Sequence, residues 1–176
     1  MSTRYKIKVA YDGTNYSGWQ VQPRHRTVQG ELERALVVVA ARPIRVVCAG
    51  RTDTGVHATG QVVHFDAGVE RPDRAWTLVV NTVLPPDVAV RWVAPVAAEF
   101  HARYSARSRS YQYCILNDSL RSALLRHRVW WVRRPLDAEA MAVAARHLLG
   151  EHDFSAFRAA ECQSRTATRH LTRLDV

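Results

Sequence analysis

Residues 44–66 read IRVVCAGRTDTGVHATGQVVHFD. The runs 44–49 and 61–66 each suit a strand, and Gly50 and Gly55 bracket a polar loop between them. Two strands in direct succession break the strand–helix alternation of a parallel fold, and the flanking residues complete the pattern. Upstream, Ile7, Val9 and Tyr11 alternate with other residues up to a turn at Asp12-Gly13, which predicts a half-buried strand over 5–11. Thr27 is placed to cap a helix whose Val28, Leu32, Leu36 and Val39 share one face, with Pro43 closing it. Downstream, Asp73 is placed to cap a second helix ending before Pro85-Pro86, and 88–93 predicts a fourth strand. Strand, helix, strand, strand, helix, strand is the order of a ferredoxin-like (split βαβ, RRM-like) domain. That is an α+β fold, an antiparallel four-stranded sheet with its helices on one face.

The pattern then restarts. A basic connector covers 99–109, and Tyr111, Tyr113 and Ile115 alternate over 110–116. A short strand is predicted at 129–132, a helix capped by Asp137 and carrying Met141, Ala144, Ala145 and Leu148 follows, and 168–176 reads as one more strand. The expected organisation is an N-terminal domain over 1–98, the connector, and an incomplete second domain of similar type over 110–176, lacking a closing helix and strand.

Charge narrows the function. Lys plus Arg number 25 against 16 Asp plus Glu, giving +9 and a pI near 10.2. A chain this basic gathers polyanions through counterion release, so nucleic acid is the natural partner. Only Lys6 and Lys8 are lysines. Arginine suits RNA, since it forks phosphates and stacks on bases, although a GC-rich genome favours arginine codons as well. No apolar run approaches the roughly 18 residues of a membrane span, and residues 1–5 lack the apolar stretch of a secretory signal, so a cytoplasmic protein is expected. Cys48, Cys114 and Cys162 are odd in number and far apart, which argues against a disulfide framework or a thiolate zinc site. His57 and His64 could share a metal, or each could contact the chain or a substrate; no metal is expected.

The loop carries the candidate chemistry. It holds Asp53 near Arg51 and His57 between two glycines that admit a sharply shaped backbone. Arg51 favours an ionised Asp53, and an ionised carboxylate in a partly dry pocket can act as a nucleophile. The plainer reading is an aspartate turn beside a solvent-facing arginine. Asp12-Gly13-Thr14 matches part of the aspartyl-phosphate motif, but Ala10 stands in the nucleophile's place, which leaves a shaped turn. Arg103, Arg107 and Arg109, interleaved with Tyr104 and Tyr111, form either a solvated face or an RNA-backbone contact.

Residues 50–58 also resemble the GRTDAGVHA signature of the tRNA pseudouridine synthase A (TruA) family, with Thr54 where alanine is usual. Residues 11–20 (YDGTNYSGWQ), 27–33 (TVQGELE), 60–65 (GQVVHF), 100–103 (FHAR), 110–113 (SYQY), 150–154 (GEHDF) and 162–166 (CQSRT) are similar to further family motifs, in the family's order. The resemblance implies a homodimeric enzyme that uses no cofactor and isomerises uridine to pseudouridine in the tRNA anticodon arm, usually at positions 38 to 40. It maps the catalytic aspartate onto Asp53, the aromatic that stacks on the target base onto Tyr111, and the arginine that helps hold the flipped nucleotide onto Arg51. His57 is a further candidate contact to RNA, or a local hydrogen-bonding residue.

Those roles suit the reaction. The bond from the sugar to uracil N1 breaks and a bond to C5 forms, so atoms and redox state are conserved and no cofactor is required. Flipping the base costs a few kcal/mol, which stacking on Tyr111, worth roughly 1–3 kcal/mol, offsets in part; alternation alone favours reading Tyr111 as a core residue. Family members normally continue beyond the position of Val176, through a segment whose arginine pairs with the aspartate. The resemblance therefore implies an active-site wall that this chain lacks in part, and the competing reading is a catalytically inactive RNA-binding module. An RRM-like binder is a third idea, weakened because residues 60–65 lack paired stacking aromatics.

Overall fold

The computed structural model describes residues 2–158 and 166–176. It divides into two compact units, Met1–Gln112 and Tyr113–Val176, so the basic connector falls within the first. In that unit β1 (Thr3–Tyr11), β2 (Val47–Cys48), β3 (Ala58–Ala67) and β4 (Val88–Val96) form one sheet in the order β2-β3-β1-β4. Every neighbouring pair is antiparallel.

Period-two burial builds the core. Tyr5, Ile7, Val9 and Tyr11 of β1 are buried, and Val63, Phe65 and Ala67 of β3 join them. In β4 the period slips at a bulge. Val9 pairs with Val90 while Lys8 pairs with Trp92, leaving Arg91 extra and turning Val93 inward. The side chain of Asn81 exchanges two 2.8 Å hydrogen bonds with the backbone of Val90, satisfying the groups beside the bulge.

Helix α1 (Val28–Ala40) begins as predicted, with the Thr27 hydroxyl accepting from Gly30 N, and its four predicted apolar positions are buried. It ends at Ala41, whose left-handed backbone (φ 52°) bonds back to Val37 O, before Pro43 is reached. Only Val47 and Cys48 of the predicted strand 44–49 join the sheet. Ile44 and Val46 are buried all the same, but Val46 is held by side chains: Glu33 accepts from its N–H, and Gln29 donates to its carbonyl. The second predicted helix starts as a π-helical turn, Ala75–Val79, and continues as α2 (Val80–Val83), stopping at Leu84 ahead of Pro85. Asp73 does not cap that turn. Arg74 holds the cap position without a side-chain bond, and Ala75 N bonds to Pro72 O. Trp76 is fully buried here, its ring centroid 5.4 Å from Tyr5 and 5.1 Å from Phe65.

Residues 97–105 lie across the other face of the sheet. Arg4 forks the Asp66 carboxylate at 2.7 Å and donates to the carbonyls of Ala98 and Phe100. The Lys6 ammonium sits 5.1 Å from the Trp92 ring and 5.3 Å from Phe100. Buried His64 accepts from Ala102 N at 3.1 Å.

The second unit departs from the expected restart. β5 (Ile115–Asn117) pairs with β6 (Trp130–Val132) in parallel, and β7 (Gly150–Asp153) pairs with β8 (Thr168–Leu171) antiparallel. Helix α3 (Ala138–Arg146) has the predicted Asp137 cap, though Leu148 lies past its end. The alternating Tyr111 and Tyr113 precede β5 and are exposed. Among the described residues of this unit, Ala145 alone is buried.

Candidate functional site

The loop between β2 and β3 lies on a bed made by residues 11–19. Trp19 N donates to Thr52 O at 2.9 Å, the Tyr11 and Thr52 hydroxyls are 2.8 Å apart, and Gly55 N donates to Tyr16 O at 3.3 Å. Gly13 allows this close approach, because a Cβ there would meet Val56 O at 2.0 Å. Gly55 is needed for its backbone (φ +79°), as the sequence predicts. Gly50 has a different reason. It is not left-handed, but a Cβ would lie 3.2 Å from Arg109 Nε.

The bed is itself anchored. Asp12 Oδ1 accepts from the backbone N and the hydroxyl of Thr14, so Asp12-Gly13-Thr14 is a shaped turn. The buried Tyr16 hydroxyl donates to Asp87 Oδ1 at 2.5 Å, and Arg26 lies over its ring while donating to the same carboxylate. Burial, and then Asp87, push the Tyr16 hydroxyl well above the usual tyrosine range, so it stays a neutral donor. Burial also raises Tyr11, against its hydrogen bond with Thr52.

Among the predicted site residues, Arg51, Asp53 and His57 share this loop. Gly13 N donates to His57 Nδ1 at 3.1 Å. Asp12 Oδ1 lies 3.1 Å from the same Nδ1. Asp53 and Arg51 are exposed. Burial pushes the Cys48 thiol up, against the opposing charges of Arg51 and Arg103.

Tyr111 is brought to the same place. It is 81% exposed, and its hydroxyl is 4.0 Å from where a Gly50 Cβ would stand. Arg109 donates through Nε and Nη2 to Ala49 O at 3.1 and 2.6 Å, and through Nη2 to Arg103 O at 3.2 Å. In the basic run, then, Arg109 holds carbonyls and Arg103 lies over the Tyr104 ring at 5.7 Å. Sequence reasoning missed the loop's supports: Tyr11, Trp19, Arg109, and Gln61, whose amide bonds Gly50 at both N and O. Tyr11 read as a core residue and Arg109 as an external charge, and no spacing rule assigns either to a loop that is distant in sequence.

His57 and His64 occupy different settings, His57 against Gly13 and His64 against Ala102. Among the described residues no group of three or more His, Cys, Asp or Glu could hold a metal, and no helix is long and apolar enough to cross a membrane. Of the motif over 162–166, residues 162–165, with Cys162, lie outside the described residues.

The pinned loop and its bed are segments shared with known proteins. The model of a family described as tRNA pseudouridine synthase matches residues 7–105 and 144–176. The tRNA pseudouridine synthase A of Klebsiella pneumoniae (strain 342) is 56% identical over 170 residues, covering 97% of this chain and 63% of its own length. That of Pseudoalteromonas atlantica is 54% identical, covering 98% and 66%, and that of Xanthomonas oryzae pv. oryzae is 53% identical, covering 98% and 68%. The chain thus spans about two-thirds of the length of these curated relatives. With the 50–58 loop and its bed inside the matched residues, the chain belongs to the tRNA pseudouridine synthase family.

Proposed function

We propose that this chain carries the catalytic loop of an enzyme that isomerises uridine to pseudouridine in the anticodon stem-loop of tRNA, with Asp53 as nucleophile. The observation that carries the reading is the loop itself: Trp19 and Tyr16 hold its backbone, Tyr11 and Gly13 hold its Thr52 and His57 side chains, Asp53 and Arg51 remain exposed, and Tyr111 lies beside Gly50 at its start. A preorganised backbone that presents a carboxylate to an incoming ligand suits attack on a base or sugar taken out of the stack. In this reading Tyr111 stacks on the flipped base, Arg51 holds the displaced nucleotide, and His57 contacts the RNA. The strand order β2-β3-β1-β4 with two helical segments supports a ferredoxin-like reading of the first unit. The family resemblance brings with it a cytoplasmic homodimer that needs no cofactor.

One observation favours the second reading, a catalytically inactive RNA-binding module: Asp53 is exposed to water, which weakens electrostatic help to a nucleophile. One assay separates the two. Tritium release from 5-tritiated uridine in an anticodon-arm RNA is measured beside RNA affinity, for the chain and for Asp53→Asn. The expected result is turnover that falls by at least about 10³-fold in the variant while affinity stays within about twofold. Residual turnover of a few per cent would remove Asp53 from the nucleophile's role. Binding without turnover by the unaltered chain selects the inactive module.

A further inference from the structure

We propose that Arg109 is a positioning residue that latches the segment bearing Tyr111 onto the start of the Asp53 loop; its functional meaning rests on the reading above. Three observations carry it. The guanidinium makes two hydrogen bonds to Ala49 O, the residue before Gly50. The same Nη2 bonds Arg103 O, closing residues 103–109 into a loop of their own. Gly50 leaves the space in which the arginine lies, since a methyl there would meet Arg109 Nε at 3.2 Å and Cδ at 3.4 Å.

Each hydrogen bond from a charged donor to a carbonyl is directional, and a fork of three fixes the guanidinium plane. Tyr111 follows two residues later with no strand to hold it, since β5 begins only at Ile115. Its place beside Gly50 therefore depends on Arg109. Asp53 lies four residues beyond the latched carbonyl, so one side chain fixes the spacing between stacking ring and carboxylate. Lysine could reach one carbonyl but has no planar fork with which to hold both.

The rival role is the one charge alone suggests, direct pairing with an RNA phosphate. The two roles differ in measurable ways. If Arg109 pairs with a phosphate, Arg109→Ala weakens RNA binding and reduces the slope of log K against log salt by about one. If Arg109 is a latch, its removal leaves that slope unchanged and loosens the loop even in free protein. The experiment compares the chain with Arg109→Ala and Arg109→Lys. Hydrogen exchange without RNA should accelerate by about tenfold or more over 49–58 in the alanine variant and to an intermediate degree in the lysine variant, while α1 and β1 stay unchanged. The salt slope should hold, and RNA affinity should fall no further than in Tyr111→Ala. Where turnover is seen, the single-turnover rate should drop about 10- to 100-fold with KM little altered. Unchanged exchange over 49–58, a salt slope lowered by one, or full recovery by lysine would each overturn the latch. The exchange measurement needs no RNA, so it stands whether or not the chain isomerises uridine.

Discussion

Tyr111 shows at the scale of one residue what the fold leaves open. A ring that is 81% exposed still has its hydration to lose, and covering it with a base gains roughly 1–3 kcal/mol. Tyr111→Phe should therefore keep RNA affinity, and Tyr111→Ala should weaken it by about fivefold or more, as filter binding or anisotropy would report. If the hydroxyl also moves the proton from C5, the phenylalanine variant binds normally and turns over slowly; equal rates for all three proteins would sink both roles. Sequence named this residue only through family resemblance, because alternation reads a tyrosine near a strand as core. Asp53 was legible from its loop as well as through resemblance, but its exposure was not: whether a loop side chain is covered depends on what folds over it. Arg109 was visible only as charge, and its partner is a carbonyl, which every residue possesses and no pattern marks.

Elements were more legible, for reasons the same residues explain. Thr27 and Asp137 announce their helices because a cap is a local bond, three residues long in each case. The strand positions of β1 follow from a two-residue period that the sheet enforces. Pairing direction has no such local signature, and β5 with β6 came out parallel against the expected antiparallel restart. The connector carries a prediction of its own. His64 is held below its usual range chiefly by burial, then by Arg4 and His101, with Asp66 opposing. Only its neutral form accepts from Ala102 N, so the stabilisation is present above the unfolded value of about 6.5 and is lost as pH falls through that value toward the lower folded one. Hydrogen exchange over 97–105, corrected for intrinsic rates, should rise several-fold on going from neutral pH to below the folded value while α1 stays protected. His64→Leu should abolish the pH step and leave the connector loose at both pH values.

At the scale of the molecule, the two units differ in how much they bury. The first has a continuous apolar core around Ile7, Leu36, Phe65 and Trp76, whereas among the second unit's described residues Ala145 alone is buried. Hydrophobic stabilisation scales with the area removed from water, so the second unit has little of its own. Global exchange should show slow amides in β1, β3 and α1 and fast ones throughout α3 and β5 to β8, in two phases separated by at least about a hundredfold. A single cooperative phase would contradict that division. Composition gave no warning of it, because large apolar residues continue after residue 112; Leu120, Leu124, Trp130 and Phe157 are present but exposed.

The central place of β1 has a consequence for synthesis. β1 leaves the ribosome before the other strands of its sheet and is flanked by β3 and β4, which arrive some fifty and eighty residues later. Until residue 96 has emerged, at least one side of β1 keeps its backbone donors and acceptors unpaired and able to recruit another nascent chain. Lys6 and Lys8 stand on that strand, and their like charges would repel a second copy laid edge to edge during the wait. Two lysines in a chain otherwise charged by arginine thus sit where translation leaves the fold most open to its neighbours.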